Sequence, residues 1–219
     1  MVEGRKMVEE LLQSPFEVCY LFATERFLNE HPIDHPLLEP VTDAQMEQMS
    51  GQDTPPGILA VAKIPEQHKL KVNGWVLALD GIANPGNMGT IIRTAEWFGI
   101  KQIVCSQDCV ELWNPKVIQA TMGSVFRMNV VYTDLAQYLD EERKRGKAIY
   151  GALLEGENLF KKEKRDEGII VIGSESHGIR SGVMPLITHP ITIPRAEGSV
   201  TESLNASIAT GIILSFFAS

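Results

Sequence analysis

Apolar residues in this chain follow two spacings. Short unbroken runs lie from Trp75 to Leu79 and from Gly168 to Ile172, and further strands are expected near 101–105, 148–153 and 190–193. Runs of this length without alternation predict strands covered on both faces. Between them the apolar positions step by three and four, as at Met88, Ile91, Ile92, Ala95 and Phe98, and Ala209 to Phe217 reads as a further helix. Strands that alternate with helices predict an α/β parallel sheet. Nearer the N-terminus, Met7, Val8, Leu11 and Leu12 have helical spacing, while Val18 to Phe22 and Gly57 to Ala62 predict strands. A polar, charged stretch from Gln67 to Asn73 separates the two patterns. It predicts a small unit over 1–70 and a larger one over 72–219.

A length of 219 residues suits that division and a sizeable core. Three cysteines, an odd number in no pairing pattern, predict a reducing cytoplasm. Cys19 and Cys105 lie in apolar runs and are expected in the core, and Cys109 lies in a more polar stretch. No segment reaches membrane-spanning length, and the first residues lack the basic-then-apolar order of a signal peptide. The expected location is cytoplasmic, with no membrane partner. Charge complicates any nucleic-acid reading, because the total is −8. Residues 1–70 hold five Lys/Arg against twelve Asp/Glu, whereas 71–219 hold fifteen against sixteen. The acidity therefore belongs to the small unit. Basic residues cluster at Arg143, Lys144, Arg145 and Lys147, and at Lys161, Lys162, Lys164 and Arg165. A solvated helix face is the commoner use of such clusters, and phosphate contact is the functional one.

Candidate chemistry sits where apolar runs end. Leu79-Asp80-Gly81 closes one strand and Asn84-Pro85-Gly86-Asn87 follows, with Pro85-Gly86 expected as a tight turn and Asn87 as the helix cap. Arg93 falls off the apolar face and is expected over the turn that carries Asn84. A second strand end reads Gly173-Ser174-Glu175-Ser176-His177-Gly178, whose glycines permit a sharp turn and whose Glu175 is an acceptor for an arginine or amine. His177 reads as a loop residue, and no second His or Cys has metal-ligand spacing to it, so no metal is expected. A third segment runs from Ile193-Pro194 to Glu202-Ser203-Leu204-Asn205-Ala206-Ser207 at the start of the last helix. One N-cap residue would explain one of its polar side chains, and Ser203, Asn205 and Ser207 stand there together.

At these residues the chain resembles the SpoU (TrmH-type) family of RNA ribose 2′-O-methyltransferases, in the SPOUT superfamily. The likeness is carried by Asn84-Pro85-Gly86-Asn87-Met88-Gly89 through Arg93, by Asn114-Pro115-Lys116-Val117 through Thr121-Met122-Gly123-Ser124-Val125-Phe126-Arg127, by Gly173-Ser174-Glu175 through Gly178, and by Ile193-Pro194 through Ser207. Arg195 departs from it, since an apolar residue commonly follows Ile-Pro. The resemblance implies a parallel-sheet SPOUT domain with a C-terminal deep trefoil knot, a homodimer, and bound S-adenosylmethionine. The Gly4-Arg5-Lys6-Met7-Val8-Glu9 opening and Pro56 to Val61 resemble a small L30e-like RNA substrate-binding domain. The implied partner is RNA, ribosomal ahead of transfer RNA. The implied catalytic residues are Arg93, Asn84, Glu175, Ser203 and Asn205, and the implied cofactor-binding residues are Gly173, Ile193, Leu204, Leu153 and Met122. A guanidinium keeps its proton up to a pH of about 12, so the role carried over to Arg93 is stabilising alkoxide charge. Two rivals are a SPOUT base methyltransferase and a non-catalytic RNA-binding or ribosome-assembly factor. A generic Rossmann enzyme would need a Gly-x-Gly-x-x-Gly turn that the first strand lacks.

Overall fold

The computed structural model describes residues 1–66, 74–163 and 165–218. The boundary expected at 67–73 and the basic Lys164 lie outside the described residues.

Residues up to 62 form a four-stranded sheet in the order β1-β4-β2-β3, from β1 (Val2–Glu3), β2 (Val18–Thr24), β3 (Leu38–Val41) and β4 (Ile58–Ala62). Helices α1 (Arg5–Leu12), α2 (Glu25–Glu30) and α3 (Asp43–Met49) connect them. From Trp75 onward the chain builds β5 (Trp75–Asp80), β6 (Gln102–Ser106), β7 (Asn129–Thr133), β8 (Ile149–Asn158), β9 (Gly168–Gly173) and β10 (His189–Thr192). These pair in parallel in the order β10-β8-β9-β5-β6-β7. Their helices are α4 (Pro85–Trp97), α5 (Pro115–Thr121), α6 (Leu135–Lys144) and α7 (Ala206–Phe217).

Burial explains the unbroken apolar runs. Leu77 and Leu79 of β5 and Ile170 and Ile172 of β9 face one core with Met88, Ile91 and Ile92 of α4 and Ile213, Leu214 and Phe217 of α7. Val76, Ala78, Ile169 and Val171 face the other side, against Leu135 and Leu139 of α6. Strands so covered cannot alternate. The first core is continuous with Met7, Val8, Leu11 and Leu21 of the small unit. At that junction Phe16 packs edge-on against Phe126 and Trp113, with ring centroids 5.2 and 5.9 Å apart. Arg127 there ion-pairs with both Glu10 of α1 and Glu96 of α4. Of the cysteines, Cys105 is buried as expected. Cys19 is half-exposed and Cys109 is buried, which reverses the expectation for that pair.

α4 crosses α5 at Gly89, where a Cβ would lie 2.4 Å from the Ala120 Cβ and 2.8 Å from the Val117 carbonyl oxygen. Neither neighbour is the free end of a flexible side chain. Gly89→Ala is therefore expected to destabilise the chain by about 1–3 kcal/mol through overpacking, although alanine favours a helix. Thermal melting checks this, and a raised melting temperature would contradict it.

Candidate active site

The helix that follows β5 begins one turn earlier than the sequence suggests. Pro85 occupies its first position, where a missing N–H costs nothing and the preset φ fits. Asn84 becomes the N-cap, its Oδ1 accepting from the Asn87 N–H at 3.0 Å. This corrects the expectation that Pro85-Gly86 forms a separate turn and Asn87 the cap. Asn87, set in the first turn, has its side chain free for tertiary contact.

That contact joins three distant segments. Asn87 Nδ2 donates to the Glu175 carboxylate. Asn87 Oδ1 accepts from Asn205 Nδ2 at 2.9 Å. Asn205 is the N-cap of α7, its Oδ1 accepting from Ser207 N at 2.9 Å, Ile208 N at 3.3 Å and the Ser207 hydroxyl at 2.6 Å. The cleft around this chain of contacts, about 420 Å³, is lined by Gly81, Ala83, Asn84, Asn87, Ser174, Glu175, Ser176 and Asn205. It lies beyond the carboxyl ends of β5 and β9, where open parallel sheets place ligands. The first turns of α4 and α7 meet there. Thr94 of α4 also lies 3.8 Å from the Cβ position of Gly211 in α7, so the two helices run side by side in one direction. Both positive dipole ends therefore face the cleft and favour negative charge in it.

The cleft's walls are tightly determined. A Cβ on Gly173 would lie 2.1 Å from the Gly178 carbonyl carbon, so this glycine lets the 173–178 loop fold back on itself. The residue was expected to admit a ligand, and its nearest neighbours are the loop's own backbone. Behind β5, Ser106 Oγ accepts from the Gly81 N–H at 2.9 Å and Cys109 Sγ from the Ile82 N–H at 3.3 Å. Hydrogen bonding from Cys105, then Ser106 and the Ile82 and Gly81 backbone, pulls the Cys109 thiol down to about 6 against its burial. The Ser106 hydroxyl, followed by backbone and Arg180 contributions, holds the Asp108 carboxyl below its ordinary range.

Of the catalytic residues implied by resemblance, Asn84, Glu175 and Asn205 converge on this cleft. Asn87, which sequence reasoning treated as a cap, is its central bridge. Ser203 lies in the exposed segment before α7 and makes no hydrogen bond among the described residues. Arg93 is not among the residues that line the cleft. It lies nine residues along α4, roughly 13 Å of helical rise from the cap, and is exposed without an ion pair among the described residues. It shares a stripe with Gly86, Thr90 and Trp97.

The cofactor candidates divide. At the β8–β10 edge, where the Thr192 hydroxyl donates to the Leu154 carbonyl at 3.1 Å, Leu153 packs toward the α6 side of the sheet and Ile193 toward the α4 and α7 side. Gly173 ends the adjacent β9, and Leu204 is exposed just before α7. Met122 instead caps α5 in a left-handed conformation, φ 52°, beside Gly123, whose Cβ position is 2.7 Å from Glu10. It belongs to the junction with α1. Among the described residues no group of three His, Cys, Asp or Glu could hold a metal ion.

A sequence model of the SpoU rRNA Methylase family matches residues 74–215. The chain is 27% identical over 216 residues to the 23S rRNA (guanosine(2553)-2'-O)-methyltransferase RlmP of Bacillus subtilis, covering 98% of this chain and 86% of that one. A solved structure assigned to the TrmH family of RNA methyltransferases, from Porphyromonas gingivalis, superposes with a TM-score of 0.87 at 36% identity, over 99% of this chain and 88% of the other. The SpoU methyltransferase AviRb of Streptomyces viridochromogenes, solved in complex with AdoMet, shares the fold at 21% identity, with a TM-score of 0.82 over 99% and 88% of the two chains.

Proposed function

Because the chain belongs to the SpoU rRNA Methylase family, we propose that it is an S-adenosylmethionine-dependent RNA methyltransferase that modifies a ribose 2′-hydroxyl, with ribosomal RNA as the favoured substrate. The observation that carries this reading is the Asn87 bridge, which draws Glu175 and Asn205 from separate motif segments into one cleft. The similar proteins from B. subtilis and P. gingivalis are named as RNA methyltransferases.

The residues suit the cofactor. Ile193 offers apolar surface for an adenine, the strand end at Gly173 offers backbone groups, and Glu175 offers an acceptor for an ammonium or ribose hydroxyl. The first turns of α4 and α7 offer N–H groups for a carboxylate. When bound, S-adenosylmethionine supplies a methyl group activated by its sulfonium. This chain's own part is alignment and electrostatics. The Asn87 amide, braced by Asn205, holds Glu175 in place, and the two dipole ends favour negative charge developing on the ribose oxygen. Arg93 adds a planar cation for that oxygen or a neighbouring phosphate.

The position of Arg93 leads us to include a homodimer in the proposal. The stripe that carries it also carries Trp97, 84% exposed, and neighbouring α7 carries Ile208, 55% exposed. A second copy covering this face would bring Arg93 to the partner's cleft. A trefoil knot also belongs to the reading: β10 lies beyond β8 at the sheet edge, yet α7 packs on α4, so the chain recrosses β8 and β9. The small unit is read as an L30e-like substrate-binding domain, and the location as cytoplasmic. No helix among the described residues is long and apolar enough to cross a membrane.

The ion pairs of the first basic cluster favour the solvated-face reading over phosphate contact. Arg143 and Lys144 pair with Asp140 at 2.9 and 2.6 Å, Arg145 with Glu142 and Lys147 with Glu167. In the second, Lys162 pairs with Glu157, whereas Lys161 and Arg165 have no ion pair among the described residues. Neutralising Arg143, Lys144 and Arg145 together is expected to leave the salt dependence of RNA binding unchanged. A slope reduced by about 0.7–0.9 per residue would place them on phosphates.

The test of the whole reading is transfer of labelled methyl from S-adenosylmethionine to RNA, followed by alkaline hydrolysis. Alkali-resistant dinucleotides carrying the label are expected, since ribose methylation blocks cleavage. Label confined to mononucleotides would support a base methyltransferase, and no transfer a non-catalytic binder.

A further inference from the structure

The loop that presents Glu175 is fastened from behind by a residue that does not line the cleft. Arg180 follows that loop and engages Asp80 through backbone and side chain at once. Its N–H donates to Asp80 Oδ2 at 2.8 Å and its Nε to Oδ1 at 2.7 Å, and a second guanidinium nitrogen pairs with Oδ1. Asp80 is the last residue of β5 and is fully buried, 0% exposed. The remaining arm of Arg180 reaches Asp108 Oδ2 at 3.0 Å. That carboxylate oxygen lies 3.4 Å from the Cβ position of Gly81, where the Asn84–Asn87 segment departs. One guanidinium thus ties the loop after β9 to the end of β5 and to the loop after β6. A planar fork of five donors can do this, and a single ammonium cannot.

We propose that Arg180 is a positioning residue for methyl transfer, fixing Glu175 against the Asn87–Asn205 pair through the buried carboxylate of Asp80. The inference rests on the methyltransferase reading above. A shift of about 1 Å in a positioned group can cost on the order of 100-fold in rate, so the fastening carries through to catalysis although Arg180 touches no reacting atom.

The experiment uses the full chain. Arg180→Ala strips the buried Asp80 of its guanidinium, so the pair Asp80→Asn with Arg180→Gln, which leaves no orphaned charge, is made beside it. Amide exchange over 173–180, binding of S-adenosylhomocysteine by calorimetry, and kcat and KM on total RNA from a strain lacking the gene are measured. In the double variant, exchange over 173–180 is expected to rise about tenfold while α6 amides stay protected. Its kcat should fall on the order of 100-fold, with KM for RNA unchanged. Arg180→Lys should recover part of the loss, because it keeps one charged bond to Asp80. Asp108→Asn, which removes only the exposed arm, should stay within about twofold. Folded double variants with wild-type kcat, or with unchanged loop exchange, overturn the role of Arg180. A wild-type chain that neither binds S-adenosylhomocysteine nor transfers methyl overturns the underlying reading instead.

Discussion

Asn87→Ala is expected to abolish methyl transfer while the chain stays folded. The substitution removes a side chain that contacts both Glu175 and Asn205. Glu175 loses its amide donor and Asn205 its acceptor, so two groups that line the cleft lose their alignment. A loss of about 100-fold or more in kcat is expected, as when other preorganised donors are removed. Asn87→Asp should not rescue, because it sets a second carboxylate against Glu175. Asn84→Ala separates the two asparagines. Its side chain caps α4, so its main expected effect is on stability, about 1 kcal/mol, with a smaller loss of activity than Asn87→Ala. Equal losses for the two would return Asn84 to the centre of the site.

Arg93→Ala is expected to cost about 100-fold or more in transfer, with affinity for S-adenosylhomocysteine little changed. The side chain is exposed on α4 and fills no core space, so melting should hardly move. Arg93→Lys should not restore the rate if planar, bidentate contact is required. The dimer proposal adds a sharper result. Arg93 is remote from its own cleft, so it would serve the partner's. Mixing Arg93→Ala with Asn87→Ala chains then produces mixed dimers in which one of two sites is whole. Activity should return to about a quarter of wild type for random pairing. No recovery after confirmed subunit exchange would confine Arg93 to its own chain.

Much of this architecture is legible in the sequence because burial leaves a plain mark. Trp75–Asp80 and Gly168–Gly173 are central strands covered on both faces, and their runs are unbroken. β7 (Asn129–Thr133) left no such mark, being an edge strand with half-buried positions and polar ends. β3 (Leu38–Val41) is short, at an edge, and contains Pro40. The site was legible as three strand-end or helix-start segments, and not as a set of contacts. Asn84 and Asn87 are alike in sequence, and only Pro85 at the first helical position decides which one caps. That signal was available, since proline favours the first position. The pairing of Asn87 with Glu175, 88 residues away, was not, because a hydrogen bond across the sheet leaves no trace in local spacing. The same holds for Arg180 and Asp80. The basic cluster at 143–147 reads either way from composition, and its acidic partners Asp140 and Glu142 on the same helix favour the solvated face.

The most direct measurement is a map of 2′-O-methylation across ribosomal and transfer RNA from cells with and without the gene, read with cells that carry the Asn87→Ala allele. Loss of one ribose methyl group in the deletion, restored by the wild-type gene and not by Asn87→Ala, is the predicted result. An unchanged map in the deletion strain, or full restoration by Asn87→Ala, would contradict the assignment of this cleft to ribose methyl transfer.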